Sequence, residues 1–275
     1  MIERTHSMQR TVLLPLAANL IMVILLWGCS DGSYAENAET DQKIEASEPP
    51  NLDNINSQST HGNGAQTVQA EQIKLNVTTS AIRILAFGDS LTAGYGLKDI
   101  SRGFPAQLEQ KLKEAGYDVN VLNAGISGDT TAGGRSRLDW SLSENPDAVI
   151  VELGGNDGLR AIDPEVTYDN LNDILSRLTE RGMPVLLAGM LAPPNLGREY
   201  GDRFASVYQR LAAEYDVLFY PFFLDGVAGD PSLNQEDRIH PNEMGVDIIV
   251  DRIKPLTEKL LKQVASKQKL ESDLR

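Results

Sequence analysis

The chain has 275 residues, of which 41% are hydrophobic and 23% are charged, and its formal net charge is −14. This composition is typical of a globular protein with room for one large domain or two small ones. The acidic balance argues against a nucleic-acid partner, because phosphate binding needs clustered lysines and arginines. It argues equally against a surface held to anionic lipid by charge alone.

Residues 1–29 have the pattern of an export signal. A basic start precedes an apolar run from Val12 to Trp27, which is the order of regions in a signal peptide. The run ends in LLWGC, which resembles a bacterial lipoprotein processing box, although Trp27 is bulky for its position there. The segment predicts export and lipidation at Cys29, giving a membrane-anchored lipoprotein that faces the periplasm or the cell exterior. An uncleaved membrane anchor and an ordinary signal of a soluble periplasmic or secreted protein are the alternatives.

Residues 30–80 have the composition of a disordered tether. They are rich in Asn, Ser, Thr, Gln, Gly and Glu, and acidic residues far outnumber the two lysines, Lys43 and Lys74. Such a segment buries too little apolar surface to offset the entropy lost on ordering. We therefore expect an acidic tether with His61 exposed to solvent. Because Cys29 is the only cysteine, no intramolecular disulfide and no multi-cysteine metal site can form.

In residues 81–275, short apolar runs alternate with helix-like stretches. The predicted strands are Ile82–Phe87, Val119–Leu122, Ala148–Leu153, Val185–Ala188 and Val217–Tyr220. The predicted helices are Phe104–Ala115, Gly134–Leu142, Pro164–Arg181, Arg203–Tyr215 and Pro241–Lys262, with fraying expected in the polar residues after about Lys262. This alternation predicts an α/β domain built on a central parallel sheet of about five strands. Reactive residues are then expected beyond the carboxyl ends of the strands.

The first predicted strand runs directly into a glycine-rich turn that contains Ser90. A serine in such a turn after a buried strand is well placed to be an exposed nucleophile. The turn is not a phosphate-binding loop, because no Gly-Lys-Ser/Thr follows it. It also differs from the Gly-x-Ser-x-Gly elbow, because position 92 is Thr. A plain strand-to-helix turn capped by Asp89 or Ser90 is the alternative.

His240 is the only histidine in residues 81–275, and a serine nucleophile usually needs a histidine base. Asp237 precedes it by three residues, close enough in a loop to accept the imidazole N–H and fix its tautomer. A lone histidine at a helix start is the alternative interpretation. A metal site is not predicted, because one carboxylate and one imidazole are too few ligands.

Two further loops follow predicted strands and carry hydrogen-bond donors. They are Asn123–Thr130, which contains Gly128, and Gly154–Asp157, which contains Asn156. A glycine lets a backbone N–H approach a ligand closely, and an asparagine amide adds another donor. Acyl transfer needs such donors aimed at the developing oxyanion. Each loop could also be an ordinary turn, but the recurrence of such features at strand ends favours a site.

Together these segments resemble the ordered blocks of the GDSL/SGNH hydrolases, and in particular the bacterial thioesterase, lysophospholipase and arylesterase subgroup. The matching blocks are Phe87–Leu91, Asn123–Thr130, Val151–Asp157 and Asp237–Pro241. The resemblance covers about residues 82–262 and implies a flavodoxin-like, three-layer α/β/α domain without a metal or an organic cofactor. It also implies the site residues: Ser90 as nucleophile, His240 as base, Asp237 as its partner, and Ser90, Gly128 and Asn156 as the oxyanion hole.

The resemblance implies a monomeric carboxylic ester hydrolase acting on a small acyl ester, aryl ester, thioester or lysophospholipid. A carbohydrate or peptidoglycan O-acetyl esterase is an alternative enzyme, and an acyl- or glycan-binding lipoprotein without catalysis is an alternative of another class. The family's substrate-binding segment corresponds here to Met190–Gly197, which makes Leu191, Pro193 and Leu196 the candidate contacts. The residues at 222–224 could line the same groove, although core packing is the favoured interpretation for them.

Overall fold

The computed structural model describes residues 81–274. The predicted signal at 1–29, the lipidation site Cys29 and the predicted tether at 30–80 lie outside the described residues. Between residues 81 and 274, no helix combines the length and the apolar character needed to cross a membrane.

Five strands form one fully parallel sheet in the order β2-β1-β3-β4-β5. The strands are β1 (Ile82–Gly88), β2 (Val119–Gly125), β3 (Ala148–Glu152), β4 (Val185–Ala188) and β5 (Leu218–Tyr220). This is the doubly wound order of flavodoxin-like folds, as predicted. All residues of β3 and β4 are buried, which explains why, apart from Glu152, their sequences are continuous apolar runs rather than alternating ones.

Seven α-helices connect and cover the strands in the described part of the chain. They are α1 (Ser90–Ala93), α2 (Phe104–Glu114), α3 (Thr131–Leu142), α4 (Gly155–Leu159), α5 (Pro164–Glu180), α6 (Arg198–Glu214) and α7 (Glu243–Asp273). The helices α2 and α7 pack together on one face of the sheet, and α3, α5 and α6 pack on the other. Apolar side chains of both helical layers and the sheet form one continuous core.

Three predicted helix limits differ from the structure by three residues or more. Helix α3 begins at Thr131, three residues before the predicted start, because Thr130 caps it by accepting a hydrogen bond from the Gly133 N–H. Helix α6 begins five residues early, at Arg198. Helix α7 does not end near Lys262 but continues to Asp273.

The sheet order determines where a site can form. Strand β1 lies between β2 and β3, so the chain leaves its carboxyl end in one direction for β2 and returns on the other side for β3. Loops beyond such a switch point diverge and leave a crevice at the carboxyl edge of the sheet. The loops after β1, β2 and β3 carry Ser90, Gly128 and Asn156 to this edge.

Candidate active site

Ser90, His240 and Asp237 form a hydrogen-bonded chain at the carboxyl edge of the sheet. The Ser90 Oγ lies 2.9 Å from His240 Nε2, and His240 Nδ1 lies 2.6 Å from Asp237 Oδ2. The three residues come together from opposite ends of the domain, since 150 positions separate Ser90 from His240. This is the connectivity of nucleophile, base and orienting carboxylate.

The loop that carries His240 is fixed by local hydrogen bonds. Asp237 Oδ1 accepts from the backbone N–H groups of Ile239 and His240, at 2.9 and 3.1 Å. Just after His240, the side chain of Asn242 caps helix α7 by accepting from two of its first N–H groups. The imidazole is therefore oriented by the turn before it and by the helix that begins after it.

The backbone N–H bonds and the imidazole also determine the charge state of Asp237. Partial burial acts to raise the pKa of Asp237, but hydrogen bonds from the His240 ring and from the Ile239 and His240 N–H groups outweigh it and lower the pKa to about 2. Asp237 is therefore ionised throughout the neutral range, as a carboxylate that stabilises an imidazolium must be.

Ser90 is the first residue of α1, and the turn before it is tightly packed. Asp89 caps this helix, because its Oδ1 accepts from the Leu91 N–H at 3.0 Å. A side chain at Gly88 would collide with Thr92 and with the fully buried Glu152. Glycine at 88 thus lets β1 pass close to β3 and places the serine directly at the strand end.

Two carboxyl groups lie beneath the nucleophile, and burial shifts both. Glu152 Oε2 accepts from the Thr92 hydroxyl at 2.7 Å, while its Oε1 has no hydrogen-bond partner among the described residues. Complete burial, reinforced by the neighbouring Asp89, raises the pKa of Glu152 well above its usual range. Burial also raises the pKa of Asp89 to about 6, against the opposing hydrogen bonds from the Leu91 N–H and the Asn156 amide.

Gly128 and Asn156 line the crevice beside Ser90, as predicted. Gly128 has a φ of +84°, a conformation that glycine adopts without strain, and its carbonyl accepts from the guanidinium of Arg160 at 3.0 Å. The Asn156 Nδ2 donates to Asp89 Oδ2 at 3.1 Å and to the Asp129 carbonyl at 2.9 Å. Both amide hydrogens of Asn156 are therefore engaged in this structure.

The crevice widens into a groove with a volume of about 940 Å³. Apolar side chains dominate its walls: Leu159, Met190, Leu191, Pro193, Phe222, Leu224 and Ile239. Leu191 and Pro193 lie where the sequence predicted, but the third candidate contact, Leu196, is not part of the lining. Phe222 and Leu224 line the groove, and Leu224 also packs against the core, whereas Phe223 is fully buried.

Two residues that support the site were missed from the sequence. The Tyr95 ring packs against the His240 ring, with centroids 4.7 Å apart and planes tilted by 43°. An aromatic residue between two glycines in the nucleophile turn was a usable signal. Glu152 was also visible, as a single acidic residue in an otherwise apolar strand.

No group of three or more His, Cys, Asp or Glu side chains within residues 81–274 is arranged to hold a metal ion. The chain itself resembles known hydrolases over most of this region. Residues 86–248 match the GDSL-like lipase/acylhydrolase family. Because this match spans more than half of the chain, the chain belongs to that family.

Individual relatives carry related names. Esterase TesA of Pseudomonas aeruginosa is 40% identical over 69% of this chain and 94% of its own length. Thioesterase 1/protease 1/lysophospholipase L1 of Escherichia coli is 40% identical over 62% of this chain and 81% of its own. AlinE4, an SGNH-hydrolase family esterase of known crystal structure, is 46% identical in sequence. Its structure superposes on this one with a TM-score of 0.56, over 66% of this chain and 97% of the AlinE4 chain.

Proposed function

We propose that this protein cleaves carboxylic esters through an acyl-enzyme intermediate on Ser90. The observation that carries the proposal is the continuous hydrogen-bonded chain from Ser90 Oγ through the His240 ring to Asp237. The membership of the GDSL-like lipase/acylhydrolase family and the esterase names of its relatives support the same chemistry.

The reaction proceeds in two steps on these three side chains. His240 Nε2 takes the hydroxyl proton of Ser90 as Oγ attacks the ester carbonyl, and Asp237 stabilises the resulting imidazolium. The imidazolium then gives this proton to the leaving alcohol, phenol or thiol as its bond to the acyl carbon breaks. Water then attacks the acyl carbon as His240 takes its proton, and the imidazolium returns that proton to Ser90 Oγ as the acyl–oxygen bond breaks and the acid leaves.

The tetrahedral intermediate carries a negative oxygen that needs hydrogen-bond donors. The N–H groups of Ser90 and Gly128 and the amide of Asn156 are assigned this role. Since both amide hydrogens of Asn156 are engaged in the resting structure, the oxyanion must displace either Asp89 Oδ2 or the Asp129 carbonyl. The oxyanion is a stronger hydrogen-bond acceptor than the ester carbonyl of the bound substrate. This exchange of partners therefore stabilises the transition state more than the bound substrate.

The groove indicates what kind of acyl group is bound. Its apolar walls offer an acyl chain more buried contact than an acetyl group can use. We infer that the substrates are aryl esters, thioesters or lysophospholipids with short to medium acyl chains, rather than O-acetylated glycans.

The first experiment is hydrolysis of p-nitrophenyl esters, from acetate to palmitate, by the full chain. Ser90→Ala and His240→Ala are compared with wild type, and circular dichroism verifies that each variant is folded. We expect both changes to reduce kcat by about three orders of magnitude or more. Activity that persists in Ser90→Ala would refute the acyl-serine mechanism, and a preference for acetate alone would favour the O-acetyl esterase.

We also propose that the chain is an exported, monomeric lipoprotein anchored through Cys29. The apolar segment that ends in Gly28-Cys29 supports the export and the anchor. Radiolabelled palmitate should label the wild-type protein and should not label Cys29→Ala. Equal labelling of both would contradict lipidation at this residue.

A further inference from the structure

Arg238 has an unusual backbone in the loop between Asp237 and His240. Its φ is +59°, in the left-handed region that favours glycine. Only four non-glycine residues within 81–274 have a positive φ, and Arg238 alone of these lies beside the Ser90–His240–Asp237 chain. Strained backbone of this kind concentrates at functional sites, where the surrounding structure holds it in place.

Arg238 also differs from the rest of the groove in its chemistry. It lines the groove, and no other lysine or arginine does. Its side chain makes no ion pair with a residue of the described range, whereas the adjacent Asp237 is engaged by His240. An exposed guanidinium without an ion-pair partner in residues 81–274, on a protein of net charge −14, is available to an anionic ligand.

The position of Arg238 indicates which half of a substrate it meets. His240 must deliver its proton to the leaving atom, so the leaving half lies on the side of the His240 loop. The apolar wall formed by Met190, Leu191, Phe222 and Leu224 suits the acyl half instead. Arg238, two residues before His240, therefore lies on the leaving-group side.

We propose that Arg238 makes the enzyme selective for esters whose leaving half carries an anionic group, such as a phosphate. This inference rests on the proposed esterase function and assigns a specificity residue to it. Arginine suits the task because its planar guanidinium donates two parallel hydrogen bonds to a phosphate or carboxylate.

The test uses two soluble esters with matched leaving groups. The anionic one is 4-(carboxymethyl)phenyl butyrate, and the neutral one is its amide, 4-(carbamoylmethyl)phenyl butyrate. The readout is the ratio of kcat/KM for the anionic ester to that for the neutral ester. In the full chain, Arg238→Gln and Arg238→Gly should lower this ratio about tenfold, as expected for a lost hydrogen bond to a charged group.

Two control variants separate a local effect from general charge. Arg238→Lys keeps the cation and should retain most of the ratio. Arg181→Gln removes a cation that pairs with Asp139 outside the groove and should leave the ratio unchanged. Added salt should lower the wild-type ratio and should have little effect on the ratio of Arg238→Gln.

An unchanged ratio in Arg238→Gln, with the neutral ester still hydrolysed, would overturn the inference and leave the esterase function standing. Failure of wild type on both esters would instead overturn the esterase function. An anion placed in the acyl half, as in the phenyl monoester of adipic acid, should show no dependence on Arg238; dependence there would refute the assignment to the leaving half.

Lysophospholipids and acyl-coenzyme A both have an anionic leaving half. In a lysophospholipid the charge is on the glycerophosphate, and in an acyl-coenzyme A it is on the nucleotide phosphates. Assays with lysophosphatidylglycerol, below its critical micelle concentration, and with butyryl-coenzyme A distinguish these two substrate classes. Loss of kcat/KM in Arg238→Gln on either one supports the proposal and identifies the source. If kcat/KM of Arg238→Gln is unchanged on both substrates, the result would count against the proposal.

Discussion

The buried carboxyls Asp89 and Glu152 are unusual at the residue scale. Ionised, they would repel each other beneath the nucleophile in a region that excludes water. Burial is the main cause that raises both pKa values: that of Glu152, raised further by Asp89, lies well above its usual range, and that of Asp89 is about 6. Of the two carboxyls, Glu152 is the one that burial holds more strongly in its protonated form.

This arrangement predicts the pH dependence of stability. The unfolded chain releases the Glu152 proton near about pH 4.3, whereas the folded protein retains it to a higher pH. Because the folded state binds more protons above pH 4.3, the free energy of unfolding falls as pH rises through that window. Glu152→Gln removes the titration, so its free energy of unfolding, measured by urea denaturation, should decline less between pH 4.3 and 8. Parallel declines in both proteins would contradict the assignment.

Asp89 is expected to act as a positioning residue for Asn156. In Asp89→Asn, the single side-chain oxygen cannot both cap α1 and hold the Asn156 amide, since the new amide group is a donor. We expect kcat to fall about tenfold or more while KM changes little, because an oxyanion donor loses its orientation. Asp99→Asn is the control: Asp99 caps a short turn by the same type of bond, to the Ser101 N–H. Equal losses in both variants would show a general capping effect.

At the scale of elements, helix α3 connects the loops that follow β1 and β2. Its Arg137 Nη1 donates to the Ala124 carbonyl at 2.9 Å and its Nη2 to the Gly88 carbonyl at 2.8 Å. Its Nε pairs with Asp129 at 2.6 Å, and only 11% of the Arg137 side chain is exposed. One side chain thus holds together the ends of two strands that carry site residues.

Replacing this arginine should destabilise the protein. Arg137→Met keeps the length of the side chain but leaves the Asp129 carboxylate without its ion-pair partner and removes a donor from two carbonyls, which should cost about 3 kcal/mol of unfolding free energy. Arg135→Met, on the exposed side of the same helix, removes a surface pair with Asp173 and should change it by less than about 1 kcal/mol. Urea denaturation compares them, and similar losses would contradict a special role for Arg137.

The elements themselves were predictable to different degrees. The strands were found because a sheet covered on both faces requires apolar runs, and the largest error was at the far end of β2, where Asn123 interrupts the pattern. The short helices α1 and α4 have no periodicity of their own, because they form only where a strand end turns. The end of α7 was misplaced because its last turns are polar and largely exposed, so no apolar face marks them.

For the whole molecule, the sequence predicted the family, the fold class and the enzyme class, and these are confirmed. It also predicted which side chains would meet, because motifs at the ends of adjacent parallel strands must share one edge. Contacts made by residues outside such motifs, as between Tyr95 and His240 or between Arg137 and Gly88, depend on tertiary packing that no local pattern encodes. The roles of the site residues in catalysis remain predictions that the experiments above address.

The limits of the catalytic domain give the last prediction. Every side chain of the candidate site lies between Asp89 and His240, so removal of residues 1–80 should leave kcat/KM on a soluble ester within about twofold of the full chain. Removal of residues 263–275 should instead be harmful, because Val264 is 98% buried and Lys267 donates to the Gly182 carbonyl. Loss of the buried contacts of that valine alone costs about 1.5 kcal/mol.

Thermal unfolding of the two truncated proteins tests both limits, since a loss of this size lowers the midpoint by about 3 °C or more. The carboxyl-terminal truncation should unfold at lower temperature while hydrolysing the ester normally at 25 °C, because α7 supports the sheet far beyond the residues that hold His240. A stable carboxyl-terminal truncation would show that the last turns of α7 add nothing to the fold. A loss of ester hydrolysis on removal of residues 1–80 would mean that part of the working site lies outside residues 81–275.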